Sequence, residues 1–214
     1  MKSNDYIYIV LVKALTKLGK YSRRINPYEY THISVCLDGS LDDFVTFSRK
    51  KHYSPFDSGF MHEKIEHYAF GDNKEVKVKV FEIPVDSDSK NKIKQYIERI
   101  ENDDEYIFNL YSMATMPIFH GIKIYKAHNC MSFVSKIIEL SNTVKLEKKY
   151  YKYSIEDIDK LLDKYLCKED YLQKQKEDED YMKKVGLIFN IKLFFKLNAK
   201  LIYRMIVKRN KRYE

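Results

Sequence analysis

The sequence predicts an α+β fold in which an antiparallel sheet packs against helices. Its β-rich segments come first, a helix that begins at a cysteine follows them, and further helices end the chain. This order is typical of α+β domains, whereas a doubly wound parallel sheet alternates strands with helices throughout. Neither GxGxxG nor GxxxxGK(S/T) is present, so a nucleotide-binding function has no support in the sequence.

The length of 214 residues fits one globular domain with an appendage, and 44% apolar residues are sufficient for its core. We predict a domain over residues 1–170 and an appendage over residues 171–214. The three cysteines, Cys36, Cys130 and Cys167, are too few for a disulfide framework and form no CxxC metal motif. They indicate a reducing compartment, and we expect neither a metal nor a cofactor.

The net charge of +8 is distributed unevenly along the chain. Residues 181–214 contain ten Lys or Arg and one acidic residue, whereas residues 1–180 contain twenty-nine Lys or Arg and thirty acidic residues. The body is therefore nearly neutral, and the tail carries the excess positive charge. A protein that binds nucleic acid over its whole surface is basic throughout, so we do not expect a nucleic-acid partner.

The apolar run at residues 6–12 predicts a buried strand. Lys13, Lys17 and Lys20 follow it at once, and no small-residue cleavage site is present. A secretory signal needs such a site and a longer apolar core, so we predict a strand followed by a basic helix. No stretch of about eighteen uncharged apolar residues is available for a membrane span. We therefore expect a cytoplasmic protein, with membrane association left open.

The next strands form a predicted hairpin. Residues 31–37 and 44–48 are rich in β-forming residues and flank DGSLDD, which is a turn signal. Residues 74–83 alternate valine with charged side chains and predict a strand with one exposed face. Residues 48–73 contain Pro, Gly, Ser and Asp, and we predict an irregular loop there.

Three later segments have the apolar spacing of amphipathic helices. They are residues 90–103, 130–141 and 153–166. Ser154 is the predicted N-cap of the third helix, and Asp157, three residues later, completes an acidic form of the capping box.

Residues 185–207 predict a long basic amphipathic helix. Its Lys and Arg residues recur every four positions between mostly apolar residues. Such a helix either packs on the body with a solvated lysine face or lies on an anionic membrane surface. Residues 172–184 are highly charged and predict a linker to the body. The basic positions of the helix and its end are Lys192, Lys196, Lys200, Arg204 and Lys208.

Cys130 lies where a thiol gains most reactivity from its surroundings. Asn129 is a good N-cap, so Cys130 takes the first helical position, where free N–H groups and the helix dipole favour a thiolate. Cys36 lies inside a predicted strand and Cys167 at the end of an amphipathic helix, so we expect both to pack as ordinary apolar residues. Cys130 is therefore the candidate nucleophile.

A cysteine nucleophile needs a histidine to share its proton, and His32 is the best-placed candidate. It begins the first strand of the hairpin, where a stiff backbone aims the ring reproducibly. Alternation puts His32, Ser34 and Cys36 on one face, and a helix packed there would bring Cys130 to the imidazole. His128 is two residues from the thiol, too close along a turn to point at it. The remaining histidines, His52, His62, His67 and His120, lie outside the predicted strands and helices.

Two segments resemble a known family. "YTHISVCLDGSLDDFVTFSRK" begins at residue 30, and "HNCMSFVSKIIEL" begins at residue 128. In this order and spacing they resemble the circularly permuted, papain-like cysteine hydrolases of the NlpC-type superfamily, which include YiiX-like proteins and relatives of lecithin:retinol acyltransferase. The resemblance covers roughly residues 6–165. It implies a permuted papain-like fold, in which the histidine strand precedes the cysteine helix.

The resemblance also implies a thiol hydrolase or acyltransferase that cleaves an amide or ester bond. Cys130 is then the nucleophile, His32 the base, and the Cys130 N–H part of the oxyanion hole. The family usually places His, Asn, Gln or Glu on the next strand, where this sequence offers Thr46 and Ser48. Glu63, from the following predicted loop, is a weaker candidate for this third position.

The implied substrate is an acyl group of a peptide, such as a cell-envelope peptide, or of a lipid. Two other functions stay open. One is a binding module of the same fold that has lost activity, because a hydroxyl at the third position stabilises an imidazolium less well than a carboxylate does. The other is an adaptor that binds a membrane surface through its basic tail.

Overall fold

The structure, a computed structural model, describes residues 5–16, 19–20, 23–24 and 27–208. It has an α+β fold built on a six-stranded sheet in which neighbouring strands are antiparallel, so the predicted fold class is confirmed. The strands, in chain order, are β1 (Asp5–Val12), β2 (His32–Cys36), β3 (Phe44–Lys51), β4 (Ser54–Glu63), β5 (Glu75–Val85), β6 (Ile107–Phe108), β7 (Ala127–His128) and β8 (Leu166–Gln173). The order across the sheet is β4-β3-β2-β1-β5-β8, and β6 and β7 form a separate parallel pair.

Helices pack on the sheet and end the described chain. Two single turns of 3₁₀ helix lie at Tyr150–Lys152 and Asp163–Tyr165. The helices are α1 (Ile65–Tyr68), α2 (Ser87–Glu101), α3 (Leu110–Ala114), α4 (Met116–Phe119), α5 (Cys130–Leu140), α6 (Ile155–Leu162) and α7 (Leu187–Val207).

Two hydrophobic clusters lie on opposite faces of the sheet. The larger one joins α2 and α5 to the sheet and includes Ile33, Ile93 and Ile137, all fully buried. Each such side chain contributes about 1.5–3 kcal/mol by leaving water. The smaller cluster, on the other face, includes Phe44 and Tyr68. The sheet is therefore covered on both faces, and α5 is fixed firmly against it.

Most of the predicted elements are confirmed. β2 and β3 form the hairpin, with Val35 opposite Val45, and β5 and α2 occupy the segments predicted for them. The capping box of α6 is present: Asp157 N–H donates to Ser154 Oγ, and Ser154 N–H donates to Asp157 Oδ2. Because these signals are local, the sequence alone was sufficient to identify them.

The prediction of an irregular loop over residues 48–73 is wrong. β4 occupies much of this segment and pairs with β3, and α1 follows. β4 lies at the edge of the sheet, where Pro55 needs no hydrogen-bond partner and Gly59 is tolerated opposite Ser48. The turn-forming residues of the segment therefore mark an edge strand rather than a loop.

The prediction for residues 153–184 needs a second correction. α6 ends at Leu162, and the segment Leu166–Gln173 is the edge strand β8, paired with β5. Most of its side chains are exposed, so it lacks the apolar alternation that identifies a half-buried strand. The charged segment that follows is also attached to the body, because the Tyr181 side chain is buried.

The helix of Cys130 packs on the face of β2 opposite to the predicted one. Ile33 and Val35 share the larger cluster with α5, whereas Cys36 belongs to the smaller cluster on the other face. His32 nevertheless meets this helix, because it is the first residue of β2 and lies at the end of the strand rather than within it.

The long helix predicted for the tail is confirmed as α7, which packs on the body through Leu197 and Leu201. The basic helix predicted after β1 falls partly on residues outside the described ranges. Within those ranges, no helix combines the length and the apolar character that crossing a membrane requires.

Candidate active site

Local sequence determines where α5 begins. Asn129 has an extended backbone, and its Oδ1 accepts a hydrogen bond of 2.8 Å from the N–H of Ser132. The Ser132 hydroxyl in turn accepts from the N–H of Asn129 at 3.1 Å, which completes a capping box. Cys130 is therefore the first residue of the helix, where backbone N–H groups have no intrahelical acceptor.

The segment that leads to Cys130 is held from two sides. The N–H of Asn109 donates to the carbonyl of His128 at 2.7 Å. Arg204 of α7 donates to the carbonyls of Tyr125 and Lys126, at 3.1 and 2.9 Å. Because these contacts restrain the backbone just before α5, they restrict the position of the thiol at its start.

His32 and Glu63 form a close and nearly buried pair. His32 Nε2 lies 2.7 Å from Glu63 Oε2, and the two side chains are only 14% and 3% exposed. Glu63 is the last residue of β4 and His32 the first residue of β2, so the two side chains reach each other across the intervening strand β3. A buried carboxylate without such a partner would be strongly destabilising.

Two hydroxyl groups complete the surroundings of Glu63. Tyr68 Oη donates to Glu63 Oε2 at 2.8 Å, and the Ser48 hydroxyl lies close enough to help lower the pKa of the carboxyl. Burial alone would raise the pKa of Glu63. The positive charge and hydrogen bond of His32, with the two hydroxyls, hold the pKa below its usual value instead. Glu63 therefore remains ionised beside the imidazole.

The Cys130 thiol lies close enough to His32 to help raise the pKa of the imidazole. Burial alone would lower the pKa of His32, but the charge of Glu63 and the contact with Cys130 raise it to about 10. Because Nε2 faces a carboxylate, it carries a proton, and Nδ1 is left as the nitrogen that can exchange a proton with the thiol. The chain Cys130–His32–Glu63 can thus hold a thiolate and an imidazolium side by side.

The residues predicted for the third position have different surroundings. Thr46 is fully buried and donates to the carbonyl of Ile33 at 2.8 Å, within the sheet. Ser48 lies near Glu63, where it helps to lower the pKa of the carboxyl. Glu63, the weaker of the sequence candidates, is the group that contacts the His32 ring.

Tyr68 was not identified from the sequence as part of this group. It lies in the short helix α1, five residues after Glu63, and also donates to Ser34 Oγ at 3.2 Å. A tyrosine in a short charged segment carries no pattern that marks it as a hydrogen-bond donor to a distant strand. Once β4 is recognised as a strand, however, its position just beyond the end of β4 places it beside the pair.

The other two cysteines have surroundings that fit packing or solvent exposure. Cys36 is buried in the smaller cluster, and burial raises the pKa of its thiol. Cys167 lies exposed on β8. Both positions are away from the His32–Glu63 pair: Cys36 is at the other end of β2 from His32, and β8 is at the far edge of the sheet from β4.

Of the five other histidines, His120 lies exposed after α4, and the remaining four are engaged elsewhere. His128 is packed among aromatic rings, and burial lowers its pKa to about 3. Burial, with the charge of Arg49, lowers the pKa of His52 to about 4. His62 pairs with acidic side chains at the surface, and His67 lies 3.1 Å from a carboxylate oxygen of Asp178.

The candidate active site is the group formed by Cys130, His32 and Glu63. Within the described ranges, no group of three or more His, Cys, Asp or Glu side chains is arranged to hold a metal ion. Comparison of the chain with protein-family models, with curated proteins and with solved structures found no match. The geometry of this group is therefore the basis for assigning a function.

Proposed function

We propose that this protein is a cysteine hydrolase or acyltransferase with a permuted papain-like fold. The observation that carries the proposal is that Cys130, at the start of a helix, lies beside His32, whose Nε2 is 2.7 Å from Glu63 Oε2. This combination provides a nucleophile, a group that holds its proton, and a carboxylate that orients this group.

The reaction would begin with attack of the Cys130 thiolate on the carbonyl carbon of an amide or ester. A carbon–sulfur bond forms, and the carbonyl electrons move to oxygen, where the free N–H of Cys130 can donate a hydrogen bond. When the intermediate collapses, the His32 imidazolium gives its proton to the departing amine or alcohol. The product of this step is an acyl-enzyme.

The second half of the reaction releases the acyl group. Water, or another acceptor with an –OH or –NH group, attacks the thioester while His32 accepts its proton. Collapse of this intermediate breaks the carbon–sulfur bond and restores the thiolate beside the imidazolium. Hydrolase and acyltransferase differ only in which acceptor reaches the site.

Glu63 would hold the imidazole in one orientation and stabilise the imidazolium in both halves of the reaction. A hydroxyl at this position would do the first more weakly and could not do the second by charge. The carboxylate beside His32 therefore favours an active enzyme over the alternative of a binding module that has lost its activity.

The proposed substrate is an acyl group of a peptide or of a lipid. Met131 follows the nucleophile, and both residues are nearly buried, with 8% of Cys130 and 7% of Met131 exposed. The apolar Met131 side chain next to the nucleophile favours an acyl chain over a charged group.

The proposal is tested by comparing the cysteines within one molecule. The protein is treated with iodoacetamide at pH 6.5, and alkylation of Cys130 and Cys167 is followed by mass spectrometry. We expect Cys130 to react faster despite its smaller exposure, because its thiolate is held beside an imidazolium. Hydrolysis of a fluorogenic acyl ester should fall to the background rate in Cys130→Ala.

Cys167→Ala is the matched control, since Cys167 is exposed and distant from the site. This variant should retain wild-type hydrolysis. Faster alkylation of Cys167 than of Cys130, or an equal loss of hydrolysis in both variants, would show that Cys130 is not the nucleophile.

A further inference from the structure

The helix α7 is packed on the body by one face only. Leu197 and Leu201 are buried in a cluster with Ile124 and other residues of the body. On the same side, Asn198 Oδ1 accepts a hydrogen bond of 2.7 Å from the Tyr111 hydroxyl. These contacts determine which side of the helix faces away from the protein.

The face of α7 that points outward is apolar over its whole length. Ile188, Phe195 and Ile206 are 72%, 65% and 73% exposed. Ile191 and Ile202, at 45% and 48%, lie between them along the helix. At 3.6 residues per turn these five positions form one stripe, about 27 Å long. Monomeric soluble proteins rarely expose a continuous apolar strip of this kind without a partner for it.

Three lysines lie along one edge of this stripe. Lys192, Lys196 and Lys200 are spaced four residues apart and are exposed. Among the residues that the structure describes, none of the three forms a salt bridge, although many other lysines do. An apolar stripe bordered by uncompensated positive charge is the arrangement of a helix that binds at a lipid interface.

We infer that α7 docks on the surface of an anionic phospholipid bilayer. The stripe would lie at the boundary between headgroups and acyl chains, and the lysine ammonium groups would reach the lipid phosphates and carboxylates. This inference is independent of the proposed function, because no residue of the Cys130 site takes part.

Charge favours the bilayer over the other occupants of such a surface. A second copy of α7 packed stripe to stripe would bring the rows of lysines close together, without acidic side chains on this part of either helix to compensate them. Nucleic acid would satisfy Lys192, Lys196 and Lys200 but would leave the isoleucines of the stripe in water. Anionic lipid satisfies both features at once.

A second exposed apolar group lies near this helix. Ile118 and Phe119 of α4 are 71% and 60% exposed. α4 lies between Tyr111 and Ile122, and both of these residues pack against the cluster that contains Leu201 of α7. These two exposed side chains therefore belong to a segment that adjoins the buried face of α7.

The test uses the full chain and vesicles of two compositions. We expect the protein to float with vesicles of phosphatidylcholine containing about 30% phosphatidylserine at 50 mM salt, and to bind vesicles of pure phosphatidylcholine at least tenfold more weakly. Raising the salt to 500 mM should release much of the protein, because screening weakens the contribution of the lysines. Cys130→Ala should float as wild type does, which keeps this result separate from that for the enzyme.

Two variants divide the surface into its parts. Ile188→Ser/Phe195→Ser/Ile206→Ser removes the stripe and should abolish flotation. Lys192→Gln/Lys196→Gln/Lys200→Gln removes the charges and should weaken binding by about fivefold for each lysine. The affected side chains point away from the body, so circular dichroism should show both variants folded.

The matched control for charge is Lys92→Gln/Lys94→Gln/Lys164→Gln, which removes three exposed lysines elsewhere and should leave flotation nearly unchanged. An equal loss in this control would indicate attraction by net charge alone and would overturn the inference. So would the absence of binding to anionic vesicles at low salt. A dimer of the wild type in sedimentation velocity that the stripe variant abolishes would also overturn it, in favour of a second copy.

Discussion

The charges of the His32–Glu63 pair and of the lysine row of α7 have opposite surroundings. The pair is nearly out of water, so each charge depends on a partner placed within 2.7 Å by the fold. Lys192, Lys196 and Lys200 are exposed and keep their hydration, so the fold provides no partner and needs none. The buried pair therefore has all its partners within the chain, whereas the exposed row of lysines can still bind another molecule.

The two regions should also respond differently to salt. Exposed charges are screened within about 8 Å at physiological salt, whereas a pair shielded from solvent is screened much less. Salt should therefore change the behaviour of α7 and leave the Cys130 site almost unaffected. Removal of a single charged side chain should have the reverse effect. The free energy of unfolding should fall much more for a member of the buried pair than for a lysine of the row.

Glu63→Gln should produce the largest effect. Gln retains the shape and can still accept a hydrogen bond from His32, but it removes the charge that stabilises the imidazolium. We expect kcat/KM for ester hydrolysis to fall by about 10²–10³, and alkylation of Cys130 at pH 6.5 to slow, because less of the thiol is ionised when the imidazolium loses its partner. The rates of hydrolysis and of alkylation measure the two effects.

Glu98→Gln is the control, since Glu98 is an exposed carboxylate on α2. It should leave both measurements unchanged. If Glu63→Gln hydrolyses the ester as fast as wild type, the carboxylate has only a structural role and the contrast between the two regions loses its functional meaning.

Sequence reasoning identified the parts of this site that depend on local signals. The Asn129 cap and the position of Cys130 follow from residues within three places of each other. His32 was selected because it begins a strand, which the structure confirms. The strand β5 and the helices α2 and α6 were likewise identified from periodicity and capping.

The parts that escaped prediction depend on contacts between distant segments. β4 was interpreted as a loop because Pro55 and Gly59 usually interrupt strands, and only its place at the sheet edge makes them acceptable. Because the sequence does not predict β4, it places Glu63 in a loop and favours Thr46 and Ser48, on the predicted strand, for the third catalytic position. The prediction of which face of β2 packs against α5 is wrong for a similar reason. Alternation assigns the residues of a strand to two faces without indicating which helix covers each face.

The stability of the protein at high pH should show the next largest effect. Folding raises the pKa of His32 from 6.5 to about 10, so the stabilisation this gives is complete below pH 6.5 and is lost as pH rises through 10. The neutral pair His32→Gln/Glu63→Gln lacks this contribution. Between pH 6.5 and 10, the free energy of unfolding of wild type should fall by about 3 kcal/mol more than that of the variant.

Urea unfolding at pH 6.5, 8 and 10, followed by circular dichroism, gives this difference directly. Lys and exposed Tyr side chains also titrate near pH 10, but they are common to both proteins and cancel in the comparison. The buried Tyr68 stays protonated in the folded wild type over this window, because burial and the charge of Glu63 raise its pKa well above 10. Parallel curves for wild type and variant over this window would mean that His32 is not held protonated in the folded state.

The smallest effect that we predict compares two cations on the same helix. Arg204 is 6% exposed and donates to the carbonyls of Tyr125, Lys126 and Glu105, whereas Lys200, one turn earlier, is exposed. Arg204→Met leaves these carbonyls without their charged donor and should lower the free energy of unfolding by about 2 kcal/mol. Lys200→Met, which exchanges the same charge for the same side chain, should change it by less than about 0.5 kcal/mol.

Urea unfolding of the two variants at pH 7 is sufficient to compare them. Equal losses would mean that α7 is held to the body by its apolar contacts alone, and that the carbonyls before Cys130 find water when the guanidinium is absent. Unequal losses would mean that α7 itself carries both kinds of charge, one buried and paired and the other exposed and unpaired. Its Arg204 side would belong to the folded body, and its lysine side would remain available to an external partner.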